Sequence, residues 1–326
     1  MKAYKLTGRQ RPLLAAEELP TPQPGIGQVV IRIKAASLNY RDILVASQAE
    51  GIVPLSDGAG VISAIGAEVR GFSVGDRVVI GFMPGWVEGE FSADKQDSSL
   101  GGPGVDGVLA EQVVVNAAGI SHIPDSMTFE EAATLPCAAV TAWSALFERR
   151  PLLPGETVLL LGTGGVSIFA LQLAKIAGAK VIITSSSDEK LQRARQLGAD
   201  HLINYHHNSD WASEVLRLTA GKGVDLAVDV AGPATLNSTL KATRHGGRIS
   251  LMGVLTGFDG KIDTGAILAK RITLQGIYVG PVSTLKALTL SGIKPYIDRV
   301  YPLDEADQAY QSMSEKNHFG KLVIKL

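Results

Sequence analysis

Gly162, Gly164 and Gly165 lie together between two apolar segments of the chain, where they could hold a phosphate group. A glycine turn lets the backbone approach a pyrophosphate closely, and the N–H groups at the start of a following helix favour an anion. The dinucleotide-binding pattern has a further glycine where this chain has Ser167. A serine is small enough to keep helix and strand close, and its hydroxyl is a candidate phosphate contact. The sequence therefore predicts a dinucleotide site made of Gly162, Thr163, Gly164, Gly165 and Val166.

The segments on either side of this turn follow the order expected of a dinucleotide-binding unit. Thr157 to Leu161 is an uninterrupted apolar run, typical of a strand that is buried on both faces of a parallel sheet. From Val166 to Ala177, apolar residues recur every three or four positions, which predicts a helix with one buried face. Gly178 would end that helix, and Val181 to Thr184 predicts the next buried strand.

The end of that second strand indicates which nicotinamide cofactor the chain prefers. NAD-binding units have an acidic residue there that binds the ribose 2′-hydroxyl, whereas this chain has Ser185 and Ser186. Hydroxyl groups can bond a 2′-phosphate that a carboxylate would repel, so these serines and the nearby Lys190 predict NADPH rather than NADH. The alternative for Ser186 is a capping box with Glu189 at the start of the next helix. Arg193 is expected on the solvated face of that helix.

Two patterns divide the chain into a β-rich part and an α/β part. Up to about Ala118, short apolar runs are separated by Gly, Pro and Asp, which is typical of β structure. From about Phe129, helical segments alternate with buried strands, which favours a doubly wound parallel sheet. We therefore expect a dinucleotide-binding domain at 121–284, inserted into a β-rich catalytic domain at 1–120 that is completed by 285–326. A cleft between the two is the expected place of reaction.

The composition argues against several other classes of protein. With 31 basic and 32 acidic residues and a formal net charge of −1, nothing indicates a nucleic acid or an anionic membrane as a partner. The single cysteine, Cys137, excludes an internal disulfide framework and a cysteine-rich zinc lobe. No apolar stretch is long enough for a membrane span, and "MKAYKLTGRQRP" has no apolar signal-peptide core. We expect a soluble cytoplasmic protein.

Five motifs occur in the order and spacing of one known family. They are "ASLNYRDILVA", "PLSDGAGVISAIG", "GFSVGDRVVIGF", "LPCAAVTAWSAL" and "VLLLGTGGVSIFALQLAK". Together they resemble the medium-chain dehydrogenase/reductase family, and most of all its zinc-independent branch of quinone oxidoreductase-like and enoyl reductase-like proteins. The resemblance implies an α/β fold in which a Rossmann doubly wound sheet is inserted into a GroES-like domain. It also implies cofactor contacts at Thr141 and Tyr205, and the predicted set is completed by Gly253 and Tyr278.

The positions that bind zinc in the family's zinc enzymes have lost their ligands here. A cysteine of those enzymes is matched by Asn39, and their Gly-His-Glu motif is matched by residues 55–57. Cys137 coincides with a third ligand position, but one thiolate cannot hold a catalytic zinc, which usually takes three protein ligands. We expect Cys137 to be a small buried residue. His206 and His207 are adjacent in a polar segment and the other histidines are scattered, so no metal site is predicted.

Without zinc, hydride transfer needs protein groups that stabilise the oxygen on which negative charge develops. The resemblance places Asn39, Tyr40 and Asp42 where the metal-binding segment would be. An amide can polarise a carbonyl group and a tyrosine can donate a hydrogen bond or a proton, so these three are the predicted catalytic residues. In the alternative, Asn39 caps a helix that begins at Tyr40, with Asp42 in its first turn.

The sequence as a whole favours NADPH-dependent, zinc-independent reduction of a quinone or an α,β-unsaturated carbonyl compound. A zinc-free alcohol dehydrogenase or aldehyde reductase is one alternative, and a noncatalytic NADPH-binding protein is another. Residues 46–53 form a shorter segment than the family usually has, which weakens inference about the substrate. A homodimer is implied by the resemblance, with "RITLQGIYVG" as an exposed last strand that pairs with its copy. Otherwise the C-terminal helix covers this strand.

Overall fold

Two sheets organise the chain, and each belongs to a separate unit of the computed structural model, which describes residues 1–8 and 12–326. The first unit comprises Met1–Val140 and Val279–Leu326, and the second comprises Thr141–Tyr278. Residues 9–11 belong to the N-terminal segment in which no signal-peptide core was found, and they lie outside the described residues.

The observed division follows Val140 and Tyr278, whereas the sequence places it after residues 120 and 284. Residues 121–140 belong with the first unit because the helix Phe129–Ala133 packs on its strands. The chain rejoins this unit before residue 284, since the Val282 N–H donates to the Trp86 carbonyl at 2.8 Å.

The elements run in chain order as follows. Before the turn of glycines they are β1 (Lys2–Leu6), β2 (Leu14–Glu18), β3 (Gln28–Ser37), α1 (Tyr40–Ala46), β4 (Asp57–Ile65), β5 (Arg77–Ile80), α2 (Ala93–Gln96), β6 (Gln112–Asn116), β7 (Ile120–His122), α3 (Phe129–Ala133), α4 (Val140–Trp143) and β8 (Thr157–Leu161). After it come α5 (Gly165–Ile176), β9 (Lys180–Ser185), α6 (Asp188–Gln196), β10 (His201–Asn204), α7 (Trp211–Leu218), β11 (Val224–Asp229), α8 (Pro233–Ala242), β12 (Thr243–Leu251), α9 (Thr264–Lys270), β13 (Thr273–Gly276), α10 (Val282–Leu290), β14 (Ile297–Pro302), α11 (Ala306–Ser314) and β15 (Lys321–Lys325). Leu135–Ala139 and Ser144–Glu148 are π-helical.

The second unit contains the doubly wound sheet that the sequence predicts. Its six strands lie in the order β10-β9-β8-β11-β12-β13, and every neighbouring pair is parallel. Four of the five residues of β8 are buried, as expected for a strand covered on both faces. The predicted strand–turn–helix–strand order is confirmed in β8, α5 and β9, so the carboxyl ends of β8 and β9 flank the glycine turn.

The first unit is built around a mixed sheet in the order β14-β15-β3-β4-β5-β7, with β6 also paired to β3. Most of its pairs are antiparallel, and the parallel pair joins β14 to β15. The C-terminal strand β15 therefore lies beside β3 at the centre of the unit. A separate antiparallel pair joins β1 to β2. The predicted completion of this unit by the C-terminal segment is seen here.

No helix within the described residues is long and apolar enough to cross a membrane.

Candidate functional site

The glycine turn between β8 and α5 has the backbone form that a phosphate site requires. Gly162 adopts a φ of +75°, in the left-handed region that favours glycine, and its N–H donates to the Thr184 hydroxyl at 3.4 Å. A Cβ built on Gly162 or Gly164 would meet no heavy atom within 4 Å. Gly164 is the N-cap of α5 and supplies no capping side chain, so the first N–H groups of the helix fit an anion there. These residues fit a dinucleotide pyrophosphate.

Ser167 does not have the role that the sequence suggests. Its side chain is 1% exposed, and its hydroxyl donates to the Leu161 carbonyl at 2.7 Å. The serine therefore joins the first turn of α5 to the end of β8, as close packing requires. The prediction of a phosphate contact is wrong because the hydroxyl is bonded inside the unit and has almost no accessible surface. Of the other turn residues, Thr163 is buried and Val166 is half-buried.

The three serines at the end of β9 differ in burial and in their hydrogen bonds. Ser185 is buried, and its hydroxyl accepts a hydrogen bond from the Ser187 N–H at 3.3 Å. Ser187 is the N-cap of α6 and accepts from the Lys190 N–H at 3.3 Å. The predicted capping box of Ser186 and Glu189 is wrong because the helix begins one residue later. Ser186 is exposed and forms no hydrogen bond within the described part of the chain.

Tyr205 lies beside this serine segment because β10 pairs with β9. Tyr205 directly follows β10, and its N–H donates to the Ser185 carbonyl at 3.1 Å. Tyr205 as a whole is 40% exposed. The neighbouring Asn204 amide donates to the Asp188 carboxylate at 2.8 Å, which holds this acid at the start of α6. Ser186 and Tyr205 thus follow the same ends of two adjacent strands, and Lys190 lies in the first turn of α6. Their contact with a cofactor stays a prediction.

Sequence reasoning missed Asp229, which shapes a second turn at the same edge of the sheet. Asp229 ends β11, is fully buried, and accepts hydrogen bonds from the Gly232 N–H at 2.9 Å and the Thr239 hydroxyl at 2.8 Å. Its carbonyl accepts from the Gly253 N–H at 3.2 Å. A Cβ on Gly253 would lie 1.6 Å from the Val230 carbonyl carbon, so only glycine fits there. The acid at the end of the "VDLAVD" strand was the available signal.

Thr141 and Tyr278 are the first and last residues of the second unit. Thr141 is 5% exposed and Tyr278 is 45% exposed. Their contact with a cofactor, like that of Gly253, stays a prediction.

The first unit contains a buried polar cluster that we call the Asn39 cluster: Asn39, Asp42, Ser56, Asp57, Cys137 and Lys321. At its centre, the Lys321 ammonium donates to the Asn39 Oδ1 atom and to the Leu38 carbonyl, both at 2.6 Å. The pairing of β15 with β3 explains this contact, since Val323 lies opposite Ser37 and the Leu38 N–H donates to the Leu322 carbonyl. Lys321 is 2% exposed. Burial lowers the pKa of Lys321, while nearby Asp57, Cys137 and Asp42 act in the opposite direction.

Asn39 stands at the N-cap of α1, where Asn39 and Asp42 face each other's main-chain N–H groups as in a capping box, although the contact of the Asn39 side chain falls short of a full cap hydrogen bond. The predicted helix start at Tyr40 is confirmed. The Asp42 carboxylate accepts a hydrogen bond from the Asn39 main-chain N–H at 2.7 Å, which is the acidic half of a capping box. The Asn39 Oδ1 atom accepts its hydrogen bond from Lys321. Its Nδ2 atom is buried and has no hydrogen-bond partner among the described residues.

Asp42 is completely buried, which bears on whether it can act as a catalytic residue. Its Oδ1 atom lies 3.6 Å from the Arg41 guanidinium. Burial raises the pKa of Asp42 to about 6, against the lowering effects of Arg41 and the hydrogen bond from Asn39. Because Asp42 holds the backbone of Asn39 and has no exposed surface, the geometry fits a positioning residue better than the predicted catalytic residue.

Asp57 and Cys137 form the other side of the cluster. Asp57 is fully buried at the start of β4, where its carboxylate accepts from the Ser56 hydroxyl at 2.6 Å and from the Cys137 N–H at 3.1 Å. Cys137, expected to be buried, is half-buried. Desolvation and the Asp57 carboxylate raise the pKa of its thiol well above the usual value. The thiol therefore stays protonated at neutral pH.

Tyr40, the remaining predicted catalytic residue, begins α1 and is half-buried. The ammonium of Lys316 lies 5.5 Å from the centre of its ring. No hydrogen bond of its hydroxyl occurs within the described residues. Tyr40 is thus adjacent in sequence to Asn39 and differs from it in retaining exposed surface.

The Asn39 cluster does not fit a catalytic zinc ion. A catalytic zinc site usually takes three protein ligands such as thiolate, carboxylate or neutral imidazole, whereas Cys137 is the one thiol here. Lys321 places a cation against Asn39, where a zinc ligand would have to be, and the Asp57 carboxylate is already hydrogen-bonded. Within the described residues, no group of three His, Cys, Asp or Glu side chains could hold a metal ion.

Two family models match the chain, the first within the first unit and the second over most of the second unit and the start of the returning segment. The alcohol dehydrogenase GroES-like domain matches residues 25–125, and the zinc-binding dehydrogenase model matches residues 165–291.

Two curated relatives cover nearly the full length of the chain. The zinc-type alcohol dehydrogenase-like protein of Schizosaccharomyces pombe is 41% identical over 333 aligned positions, covering 96% of this chain and 95% of the relative. The acryloyl-coenzyme A reductase of Sulfurisphaera tokodaii is 30% identical, covering 95% of each. Their names point to different reactions.

Solved structures show the same fold and different cofactors. A putative alcohol dehydrogenase from Sinorhizobium meliloti has a TM-score of 0.93 at 41% identity, covering 100% of this chain and 98% of that one. An NAD-dependent alcohol dehydrogenase has a TM-score of 0.89 at 34% identity, with both chains fully covered. A mycobacterial protein complexed with NADPH has a TM-score of 0.83 at 26% identity, again with both chains fully covered.

Proposed function

The chain belongs to the medium-chain dehydrogenase/reductase family, and we propose that it reduces a quinone or an α,β-unsaturated carbonyl compound with NADPH and without zinc. The observation that carries the proposal is the Asn39 cluster, in which an asparagine amide replaces a zinc-binding cysteine of the family's metal enzymes and accepts a hydrogen bond from the buried Lys321. An enzyme of this kind must stabilise negative charge on oxygen with hydrogen bonds alone.

The second unit supports a bound dinucleotide. Gly162 and Gly164 leave room for the pyrophosphate at the start of α5, and the turn held by Asp229 shapes the neighbouring edge. The exposed Ser186 hydroxyl, with Lys190 and Tyr205 nearby, suits a 2′-phosphate, and the mycobacterial neighbour is an NADPH complex. The similar NAD-dependent alcohol dehydrogenase instead favours NADH as the cofactor. A titration of the protein with NADPH and with NADH decides between the two cofactors.

Bound NADPH would supply a hydride, and the protein must supply an acceptor site that tolerates the resulting charge. An enone or quinone places that charge on an oxygen that hydrogen-bond donors can stabilise. An unactivated alcohol must instead lose a proton with no zinc to lower its pKa. We assign the substrate oxygen to the Asn39 amide and the Tyr40 hydroxyl. The acryloyl-coenzyme A reductase among the relatives is named for a conjugated substrate, which favours this class.

The assay that tests this function is steady-state turnover of the purified protein with NADPH and a panel of quinones, enones, aldehydes and, with NADP, alcohols. We expect turnover of conjugated acceptors that persists after dialysis against a chelator, with no stoichiometric zinc by elemental analysis. Turnover of alcohols alone would support the zinc-free alcohol dehydrogenase alternative. Binding of NADPH with no turnover would support a noncatalytic protein, and one tightly held zinc whose removal abolishes activity would contradict the proposal.

The assembly we propose is a homodimer in the cytoplasm. β13 is the outer strand of its sheet, and such an edge can pair with a copy around a twofold axis. Two large apolar residues close to it in sequence are strongly exposed, Phe258 at 77% and Leu268 at 80%. A protein with one cysteine is also consistent with a reducing compartment.

A further inference from the structure

Lys321 is held in a single, well-defined place although it carries no assigned role. Lysine is almost never fully buried unless it is paired, and here its ammonium bonds to the Asn39 Oδ1 atom and the Leu38 carbonyl at 2.6 Å each. The antiparallel pairing of β15 with β3 brings these groups together. The contact is therefore built by the central strands of the unit, not by a mobile surface side chain.

The Asn39 side chain could either cap α1 or present its amide group to a ligand, and the hydrogen bond from Lys321 favours the second role. An asparagine at an N-cap normally accepts a hydrogen bond from the N–H of the second or third helical residue. In this chain the Oδ1 atom accepts from Lys321 at 2.6 Å, whereas the capping-box contact of the Asn39 side chain with the Asp42 N–H falls short of a full hydrogen bond. This fixes the amide plane, so that the Nδ2 group is the end directed away from the ammonium. A bond from a cation to Oδ1 also polarises the amide and strengthens its N–H groups as donors.

Burial lowers the pKa of Lys321, and negative charges nearby oppose this effect. The groups that face the ammonium are the carboxylates of Asp57 and Asp42, which act in that opposing direction, and the thiol of Cys137. The Arg41 guanidinium lies beyond Asp42, 3.6 Å from its Oδ1 atom. The two carboxylates of the cluster thus lie close to two cations, Lys321 within it and Arg41 beside it.

We propose that Lys321 is a positioning residue that locks the Asn39 amide with its Nδ2 group as the donor for the substrate oxygen. The inference rests on the proposed function, because it takes Asn39 as the residue that meets the substrate. Lys321 transfers no proton and acts through its hydrogen bond to the Asn39 Oδ1 atom. The buried, unpartnered Nδ2 atom supports the inference, since a desolvated donor without a partner is costly unless a ligand completes it.

A double-mutant cycle on turnover tests the inference. Lys321→Met and Asn39→Ala should each lower kcat for the conjugated acceptor by about 10- to 100-fold, the size of one charge-assisted hydrogen bond, with NADPH affinity unchanged. Because Lys321 acts through Asn39, the double variant should be no slower than the slower single variant. Lys321→Arg, which keeps a charged donor, should recover at least tenfold. Lys325→Met is the matched control, since it removes the exposed lysine of the same strand.

The outcome that overturns the inference is a double variant whose loss is the product of the two single losses, as two independent structural defects would give. If Lys321→Met does not fold, the same cycle is run with Lys321→Gln, whose shorter neutral donor cannot reproduce the ammonium.

A second measurement does not depend on activity. In a crystal structure of the Lys321 variant, the Asn39 amide should rotate away from the orientation seen here, because the strongest hydrogen bond to its Oδ1 atom is gone. An amide that keeps its orientation without the ammonium contradicts the inference. If the wild-type protein reduces no acceptor but the amide rotates, the proposed function fails while the positioning by Lys321 stands.

Discussion

Replacing Asp42 by asparagine separates a positioning role from a proton-transfer role. Asp42 lies in the first turn of α1, fully buried, and its Oδ2 atom accepts from the Asn39 N–H at 2.7 Å. Asparagine at this position keeps an acceptor for that N–H and removes only the negative charge. The charged groups that act on it are Arg41, Lys321 and Asp57. If Asp42 only positions Asn39, Asp42→Asn should keep turnover within about threefold of wild type, whereas loss of a general acid costs about 10² or more.

The same variant makes a prediction about stability whose sign follows from the pKa of Asp42. Burial raises this pKa from 3.8 to about 6, so the folded state holds the proton more tightly than the unfolded chain. Protonation of Asp42 therefore stabilises the fold fully below about pH 4, and this contribution is lost as the pH rises through about 6. The two pKa values give on the order of 1 kcal/mol of that contribution at pH 5 and almost none at pH 8. The asparagine variant does not titrate, so its stability relative to wild type should rise by on the order of 1 kcal/mol from pH 5 to pH 8.

Urea unfolding at pH 5 and pH 8 measures this difference, with Asp304→Asn as a control that removes an exposed carboxylate from the same unit. The control should show no comparable change. A relative stability of Asp42→Asn that falls between pH 5 and pH 8 would show that the carboxylate is favourably paired, and the electrostatic account of the cluster would be wrong. If Asp42→Asn lowers turnover by about 10²-fold, Asp42 acts in proton transfer and belongs to the catalytic residues.

Three further predictions concern the cofactor, the substrate oxygen and the assembly. NADPH should bind at least about tenfold more tightly than NADH, and Ser186→Asp should remove this preference, which fluorescence titration measures; equal affinities in the wild type would refute it. Tyr40→Phe should lower turnover by about 10² to 10³ and leave NADPH affinity nearly unchanged; an unchanged rate removes Tyr40 from the site. Light scattering should give a dimer at micromolar concentration that Leu268→Glu weakens, and a wild-type monomer would count against pairing through β13.

The fold could be predicted because its signals are local in the sequence. The apolar run of β8, the period of α5 and the glycines between them each act over a few residues, and the structure confirms all three within one residue at each end. Ser186 was misplaced as a cap by one position, since either serine can cap a helix and only the backbone angles decide. Ser167 was misread because its partner, the Leu161 carbonyl, is set by how helix and strand pack.

The candidate active site could be predicted only in part because its key contact spans the chain. Asn39 was found from its place in a motif, but the partner of its side chain is Lys321, which is 282 residues away in sequence. A lone lysine at the start of "KLVIK" gives no sign of burial. Its position depends on the register of β15 against β3, which no local pattern specifies. The burial of Asp42 was missed for the same reason.

The central claim is that hydride reaches a conjugated carbon and that Asn39 and Tyr40 stabilise the oxygen at the other end of the acceptor. NADPH carrying deuterium at the transferable position, incubated with the protein and an enone, tests it directly when the product is analysed by NMR. The account predicts deuterium at the β-carbon of a saturated ketone, at a rate that Tyr40→Phe lowers by about 10² or more. Deuterium at the carbonyl carbon of an allylic alcohol, or no label in any product while NADP is reduced by simple alcohols, would contradict it.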